Sequence, residues 1–349
     1  MKTKLMQLPR SVLVGEGAIE KTSNLCQDLK LDGTALVLSG QHTYKIAGER
    51  VLEIINNRYK AIHLIVNEAS MDEVKKVEAV INKEGIEFLV AVGGGKVIDV
   101  AKLASTRSDI EFVSVPTAAS HDGIASARAS VKDDDSTVSI SARAPIGVIA
   151  DTKIIRMAPY KLMASGCGDI IANYTAVKDW ELARDVTGEE FSEYSSALSL
   201  MTAKIIMDSC DKIKDRSDES VRKVVKALIS SGVAMSIAGS SRPASGSEHK
   251  FSHALDATAP NPALHGEQCG VGTIIMMYLH EGDWQKIKDT LKKIGAPTSS
   301  KELGIEDKYI IKALVNARDI RPSRYTILDE AKLTEKDAIE VCGKCGVTK

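Results

Sequence analysis

The sequence predicts an α/β N-terminal domain, Rossmann-like with a mostly parallel sheet, followed by an all-α C-terminal domain. Three observations carry this. The chain has 349 residues, enough for about two domains, each with a core of its own. Its first half alternates apolar strand-like runs with amphipathic helical runs, the order that builds a parallel sheet covered by helices. From Pro159 onward the apolar spacing is helical almost to the end.

The elements follow in order. Ala35–Leu38 is a short buried-strand pattern ending in Ser39-Gly40, and Ala61–Val66 is another. Ser70 then reads as a helix N-cap, with Asp72 and Glu73 suited to the first turn. Val74, Val77, Val80 and Ile81 share one helical face, and Gly85 stops that helix. Phe88–Val92 reads as a central strand running into Gly93-Gly94-Gly95, with a short helix over Val97–Ser105. Glu111–Val115 is the next strand, and Ile146–Ala150 is the last clear one. Ser130–Thr137, with three consecutive Asp, reads as a solvated hairpin or loop tip. Beyond it, candidate helices cover Ala164–Arg184, Glu190–Ser209, Ser220–Gly239, Gly246–Ala257, Gly266–His280, Asp283–Ile294, Glu306–Ala317 and Glu335–Cys342. The boundary is placed near residue 155, giving 1–155 as a nucleotide-binding unit and 156–349 as the helical unit.

Composition removes several classes of function. With 46 Lys+Arg against 47 Asp+Glu and no basic run, the chain lacks the charge that neutralises nucleic-acid phosphates. Aromatics are only 4% of residues, too few for base-stacking platforms. The longest apolar helical run, Val271–Leu279, falls far short of the ~20 residues of a membrane span. The first ten residues hold no signal-peptide core, and six Cys are too few for a disulfide scaffold. The expectation is a cytoplasmic protein with a small-molecule substrate, no nucleic-acid partner and no membrane insertion.

Two loops follow strands in the first half. In Gly93-Gly94-Gly95-Lys96-Val97-Ile98-Asp99 a glycine turn opens a helix. Such a turn lets a backbone approach a ligand, and the helix N-terminus favours an anion. The dinucleotide fingerprint G-x-G-x-x-G fails at Ile98, and a P-loop fails at Val97, so a plain strand–helix turn stands beside the phosphate reading. The second loop is Pro116-Thr117-Ala118-Ala119-Ser120-His121-Asp122-Gly123. Both lie at the carboxyl edge of the predicted sheet, where open α/β folds bind ligands.

The helical half gathers metal-ligand types. Asp169, in Gly166-Cys167-Gly168-Asp169, reads as a carboxylate just inside a helix start. His249 and His253 are spaced i, i+4, on one helical face, and His265 opens another helix. Three of the seven His thus lie within residues 249–265. One Asp and two His with an open position form a ligand set that a catalytic zinc ion accepts. The alternative is three capped or hydrogen-bonded helix residues. A metalloprotease is disfavoured, because Lys250-Phe251-Ser252 between the paired His offers no glutamate base.

Together these segments resemble the iron-containing alcohol dehydrogenase, glycerol dehydrogenase and dehydroquinate synthase superfamily. The resemblance spans nearly the whole chain. Ser120-His121-Asp122-Gly123-Ile124-Ala125-Ser126 and Ser241-Arg242-Pro243-Ala244-Ser245-Gly246-Ser247-Glu248-His249 further resemble one family within it, the archaeal sn-glycerol-1-phosphate dehydrogenases. The resemblance implies that Gly93–Asp99, Thr117–Ser120 and Ser126 hold NAD(H) or NADP(H). It implies that Asp122, Asp169 and His253 meet substrate and act in catalysis, and that Asp169, His249 and His265 bind Zn²⁺. The implied reaction is reversible reduction of dihydroxyacetone phosphate, feeding archaeal ether-lipid synthesis, by a homo-oligomer. Glycerol dehydrogenase activity on unphosphorylated polyols is the alternative. Dehydroquinate synthases carry Glu at the position of Asp169 and Lys three residues later, where this chain has Ala172, so a cyclase is disfavoured. NAD-specific glycerol dehydrogenases carry an acid near Ser39-Gly40; its absence predicts that NADPH is accepted as well as NADH. Candidates for the substrate phosphate are Arg242, Lys250 and Arg318.

Cys342-Gly343-Lys344-Cys345 is one C-x-x-C without a second, so it reads as reduced thiols at a helix end, with a disulfide as the alternative, rather than a zinc ribbon. Cys167 and Cys269 lie close in sequence to Asp169 and His265, either beside the metal site or as small buried hydrophobes.

Overall fold

The computed structural model describes residues 6–133 and 136–349. Its chain forms two compact units. The first comprises residues up to 160 together with 216–236; the second comprises 161–215 and 237–349.

The first unit is built on eight strands: β1 (Ser11–Gly15), β2 (Thr34–Ser39), β3 (Lys60–Ile65), β4 (Ile86–Gly93), β5 (Glu111–Pro116), β6 (Arg128–Asp133), β7 (Ser136–Ser141) and β8 (Gly147–Asp151). Six of them pair in parallel in the order β1-β8-β5-β4-β2-β3. The central strands are buried on both faces, as their unbroken Val/Leu/Ala runs require. Val37, Val90, Val92, Val113 and Ile149 share one core cluster with Leu25, Val51 and Ile55 of covering helices.

The predicted caps hold. The Ser70 hydroxyl accepts from the Glu73 amide at 3.3 Å, and Gly85 closes the Met71–Glu84 helix at φ 63°. β6 and β7 pair antiparallel, and Asp134 and Asp135, between them in sequence, lie outside the described residues. Lys102 anchors the hairpin: its fully buried Nζ donates to Asp99 Oδ1 at 3.0 Å and to the Arg128 carbonyl at 2.6 Å.

β1 and the division into units depart from the sequence reading. β1 has no counterpart in it, because five residues ending in glycine make a weak pattern until β8 pairs with them. The contact-defined units also differ from a single cut near residue 155. Residues 216–236, read as part of the helical domain, pack with the first unit. Arg222 explains why: its Nη1 donates to the Val14 carbonyl of β1 at 2.5 Å, and Asp218 accepts from both Arg222 and Thr152.

The second unit is helical throughout. Its helices relevant to the site are Tyr160–Ile171, Asn173–Thr187, Ser247–Thr258 and His265–Leu279. Among the described residues, no helix is long and apolar enough to cross a membrane.

Candidate active site

In the first unit the strand order reverses at β2. The chain passes from β2 outward to β3, then returns to place β4 on the other side of β2. The carboxyl ends of β2 and β4 flank that reversal, the position where doubly wound sheets bind ligands. The Thr43 hydroxyl links the two ends, donating to the Val92 carbonyl at 3.1 Å.

The turn after β4 is tightly specified. A Cβ on Gly93 would sit 2.7 Å from Val97 Cγ2, and one on Gly95 would sit 2.0 Å from His121 Nε2. Gly94 has nothing within 4 Å of a Cβ, so its backbone faces open space. The Gly95–Arg107 helix begins there, two residues before the predicted start, and presents amides that have no partner inside the helix. Val97 and Ile98 bury their side chains and give their amides to the Gly94 carbonyl. Asp99 is likewise engaged, its Oδ2 accepting from the Ser130 amide at 3.1 Å. Gly94, Gly95 and exposed Lys96 are therefore the open part of the turn.

The loop after β5 lies alongside, with the Thr117 amide donating to the Gly93 carbonyl at 3.0 Å. Thr117, Ala118, Ala119 and Ser126 are buried, and Ser120 is half-buried. Ser231 donates to Asp122 Oδ2 at 2.9 Å. A Cβ on Gly232 would approach the Ser126 amide to 2.8 Å, so the Asp218–Ala238 helix packs directly on this segment.

The second unit brings Asp169, His249 and His265 together, and adds Cys269. One donor atom from each of the four lies within 4.8 Å of the others. Asp169 sits near the end of the Tyr160–Ile171 helix, not at a helix start as its glycine-rich approach suggested. Those glycines serve close packing. A Cβ on Gly168 would meet the Gly266 carbonyl at 2.3 Å, and a Cβ on Gly266 would meet the Ser165 carbonyl at 2.0 Å. Backbone contact between the two helices sets Asp169 Oδ1 3.8 Å from His265 Nε2 and 3.6 Å from His249 Nε2.

The donors are held from behind. Glu248, fully buried, faces His249 Nδ1 at 2.9 Å and also accepts from Thr175 and the Gly246 amide. His265 Nδ1 meets Ser252 Oγ at 3.2 Å, and Gln268 Nε2 donates to that hydroxyl at 3.0 Å and to Asp256 at 2.9 Å. Both Nδ1 atoms are thus engaged from behind while both Nε2 atoms face Asp169, the arrangement by which carboxylates and hydroxyls orient metal-binding imidazoles. Burial works against protonation of His249, but Cys269, Asp169 and Glu248 outweigh it and raise its proton affinity well above the imidazole range. A field that retains a proton there also favours a metal cation. The spacings fit one: ligands at about 2.1 Å in a tetrahedron lie about 3.4 Å apart.

His253 lies one turn beyond His249, its ring 5.9 Å from that of His265, with Nδ1 3.7 Å from Asp256. Burial lowers its proton affinity, and Arg321 and His249 lower it further against the pull of Asp256. The predicted phosphate cations are already occupied. Arg242 is clamped by Glu189, and Lys250 and Arg318 share Asp329. Arg324, missed in the sequence, donates to the Ser245 carbonyl and to Ser241 Oγ and pairs with no carboxylate among the described residues. Burial and the nearby Arg242 and Arg321 pull its guanidinium down to about 9.

Comparison with known proteins places this geometry. Residues 13–159 match the iron-containing alcohol dehydrogenase family model. The glycerol-1-phosphate dehydrogenase (NAD(P)+) of Methanosarcina acetivorans is 58% identical over 326 residues, covering 93% of this chain and 92% of that one. The chain belongs to the glycerol-1-phosphate dehydrogenase family. The member from Methanothermobacter thermautotrophicus is 55% identical, with 97% of each chain covered. Among solved structures, a probable glycerol dehydrogenase from Sinorhizobium meliloti shares the fold at a TM-score of 0.81 and 21% identity, covering 99% of this chain and 100% of that one. The sulfoacetaldehyde reductase of Bifidobacterium kashiwanohense, solved in complex with NAD+, shares it at 0.76 and 16%, covering 100% of both.

Proposed function

We propose that this protein reversibly reduces dihydroxyacetone phosphate to sn-glycerol 1-phosphate, using NADH or NADPH and a zinc centre at Asp169, His249 and His265. It is an oxidoreductase of the glycerol-1-phosphate dehydrogenase type; relatives bearing that name are 53–60% identical over nearly the whole chain. The observation that carries the mechanism is the convergence of one buried carboxylate and two oriented imidazoles on a single point. When bound, the metal would polarise the ketone oxygen and the reduced nicotinamide would supply hydride.

The protein's own groups do the rest. Gly94, Gly95 and Lys96 offer an open turn and helix amides to the cofactor pyrophosphate. Ser39 Oγ faces His63 Nε2 at 2.8 Å, and neither it nor Gly40 carries a charge that would repel an adenosine 2′-phosphate. Glu248 and the Ser252–Gln268 pair keep His249 and His265 from turning. His253, with Nδ1 toward Asp256, has Nε2 left to hold or pass the alcohol proton. Arg324, beside Arg321, makes no ion pair with a carboxylate among the described residues, which suits the substrate phosphate.

The test is oxidation of NADH and of NADPH with dihydroxyacetone phosphate and with dihydroxyacetone, followed by chiral analysis of the product. The proposal requires turnover with the phosphorylated ketone on either cofactor, yielding the sn-1 enantiomer. Faster turnover of the unphosphorylated ketone would move the assignment to polyols, and no turnover of either would overturn it.

A further inference from the structure

The donor cluster holds one atom more than a three-ligand centre needs. Cys269 lies one turn past His265 on the same helix and is fully buried. Its Sγ is 3.6 Å from His265 Nε2, the nitrogen that faces Asp169. In a tetrahedral centre with Zn–S about 2.3 Å and Zn–N about 2.0–2.1 Å, sulfur and nitrogen lie about 3.5 Å apart. The observed spacing matches that edge as closely as the Asp169–histidine spacings match theirs. The backbone contact at Gly168 and Gly266 that delivers Asp169 also fixes the His265–Leu279 helix, and with it the direction of the thiol.

We infer that Cys269 Sγ is a fourth protein donor to the metal centre, making it an Asp–His–His–Cys site in which a substrate oxygen would be a fifth neighbour. This rests on the metal-centre reading above. As the sulfur–metal bond forms, the thiol S–H breaks and its proton leaves to solvent. Sulfur is a soft donor, so it biases an otherwise oxygen–nitrogen site toward Zn²⁺ and away from Fe²⁺ or Mn²⁺. Cys269 would then set metal identity in a chain whose first half matches a family named for iron.

The experiment is stoichiometric loading of metal-stripped, full-length protein with Co²⁺, read by absorption. Visible ligand-field bands report that the centre binds metal at all. A near-ultraviolet sulfur-to-cobalt charge-transfer band reports the thiolate. We expect both in the wild type, with the charge-transfer band lost in Cys269→Ser and kept in Cys167→Ser. Cys269→Ser should also release zinc to a chelator with at least ten-fold weaker retention. X-ray absorption of the zinc-loaded wild type, which needs no variant, should show one sulfur at about 2.3 Å. Ligand-field bands without a charge-transfer band, or zinc with only nitrogen and oxygen neighbours, would overturn Cys269 ligation and leave the three-ligand centre standing. Absence of cobalt binding would overturn both.

Discussion

At the residue scale, the centre depends on charges that cannot be spared. Asp169, 3% exposed between two imidazoles, is the anionic ligand of the proposed centre. Asp169→Ala should abolish turnover and bound metal together, measured by assay and elemental analysis; a variant keeping most of its turnover would remove Asp169 from the site. Glu248 acts through His249. Glu248→Gln keeps the shape and removes the charge, so metal affinity should fall roughly 10–100-fold in a competition titration. Arg324→Ala should raise KM for the phosphorylated ketone while leaving metal content unchanged, and equal effects on phosphorylated and unphosphorylated ketone would refute the phosphate role. Whereas spacing alone pairs His249 with His253, the proposed ligands Asp169, His249 and His265 were legible through the family resemblance. Glu248, Gln268 and Arg324 were not. Their roles arise only when segments distant in sequence pack, and charged or amide side chains on helices and turns are ordinarily solvated. The cations that sequence offers, Arg242, Lys250 and Arg318, are paired with acids brought in from positions 189 and 329.

At the element scale, two glycine contacts do what no side chain could. Gly168 and Gly266 let the Asp169 helix and the His265 helix touch through backbone atoms. Gly266→Ala must push them apart, because the new Cβ would lie 2.0 Å from a carbonyl oxygen and backbone cannot swing aside. The expected cost is about 1–3 kcal/mol of stability, seen as a lowered denaturation midpoint, with a loss of metal retention beyond it. Local sequence misplaces Asp169 for the same reason. Glycine beside a carboxylate reads as a helix start, whereas here the glycines are interior and the packing they permit outweighs their poor helix propensity. The turn after β4 shows the opposite case. Its glycines were legible as a ligand-approach turn, and the strand order then places them beside the switch point at β2. What the sequence could not resolve was which of residues 93–99 face outward, since Val97, Ile98 and Asp99 are consumed by core and hairpin.

At the scale of the whole molecule, parallel-sheet architecture followed from strand–helix alternation, while the membership of residues 216–236 did not. Helical periodicity reports a buried face without saying which unit buries it, and the ties that decide, Arg222 to β1 and Asp218 to Thr152, join positions about 66 to 208 residues apart. The six cysteines are all free and buried, so the C-x-x-C is a pair of thiols at a helix end. Burial pushes Cys26 and Cys342 up to about 12 from an ordinary 9. Between those values the unfolded chain loses thiol protons that the folded chain keeps, so stability is intact below pH 9 and falls as pH rises. Melting temperature should therefore decline through pH 9–11, and a Cys26→Ala, Cys342→Ala double variant should show a shallower decline; an unchanged slope would contradict this origin. The central claim is that activity lives in a metal centre of the helical unit. The most direct measurement is restoration of dihydroxyacetone phosphate reduction to chelator-stripped protein by titration with Zn²⁺. Activity should rise to a plateau at one ion per chain in the wild type and stay absent in Asp169→Ala. Full activity in verified metal-free protein would contradict it.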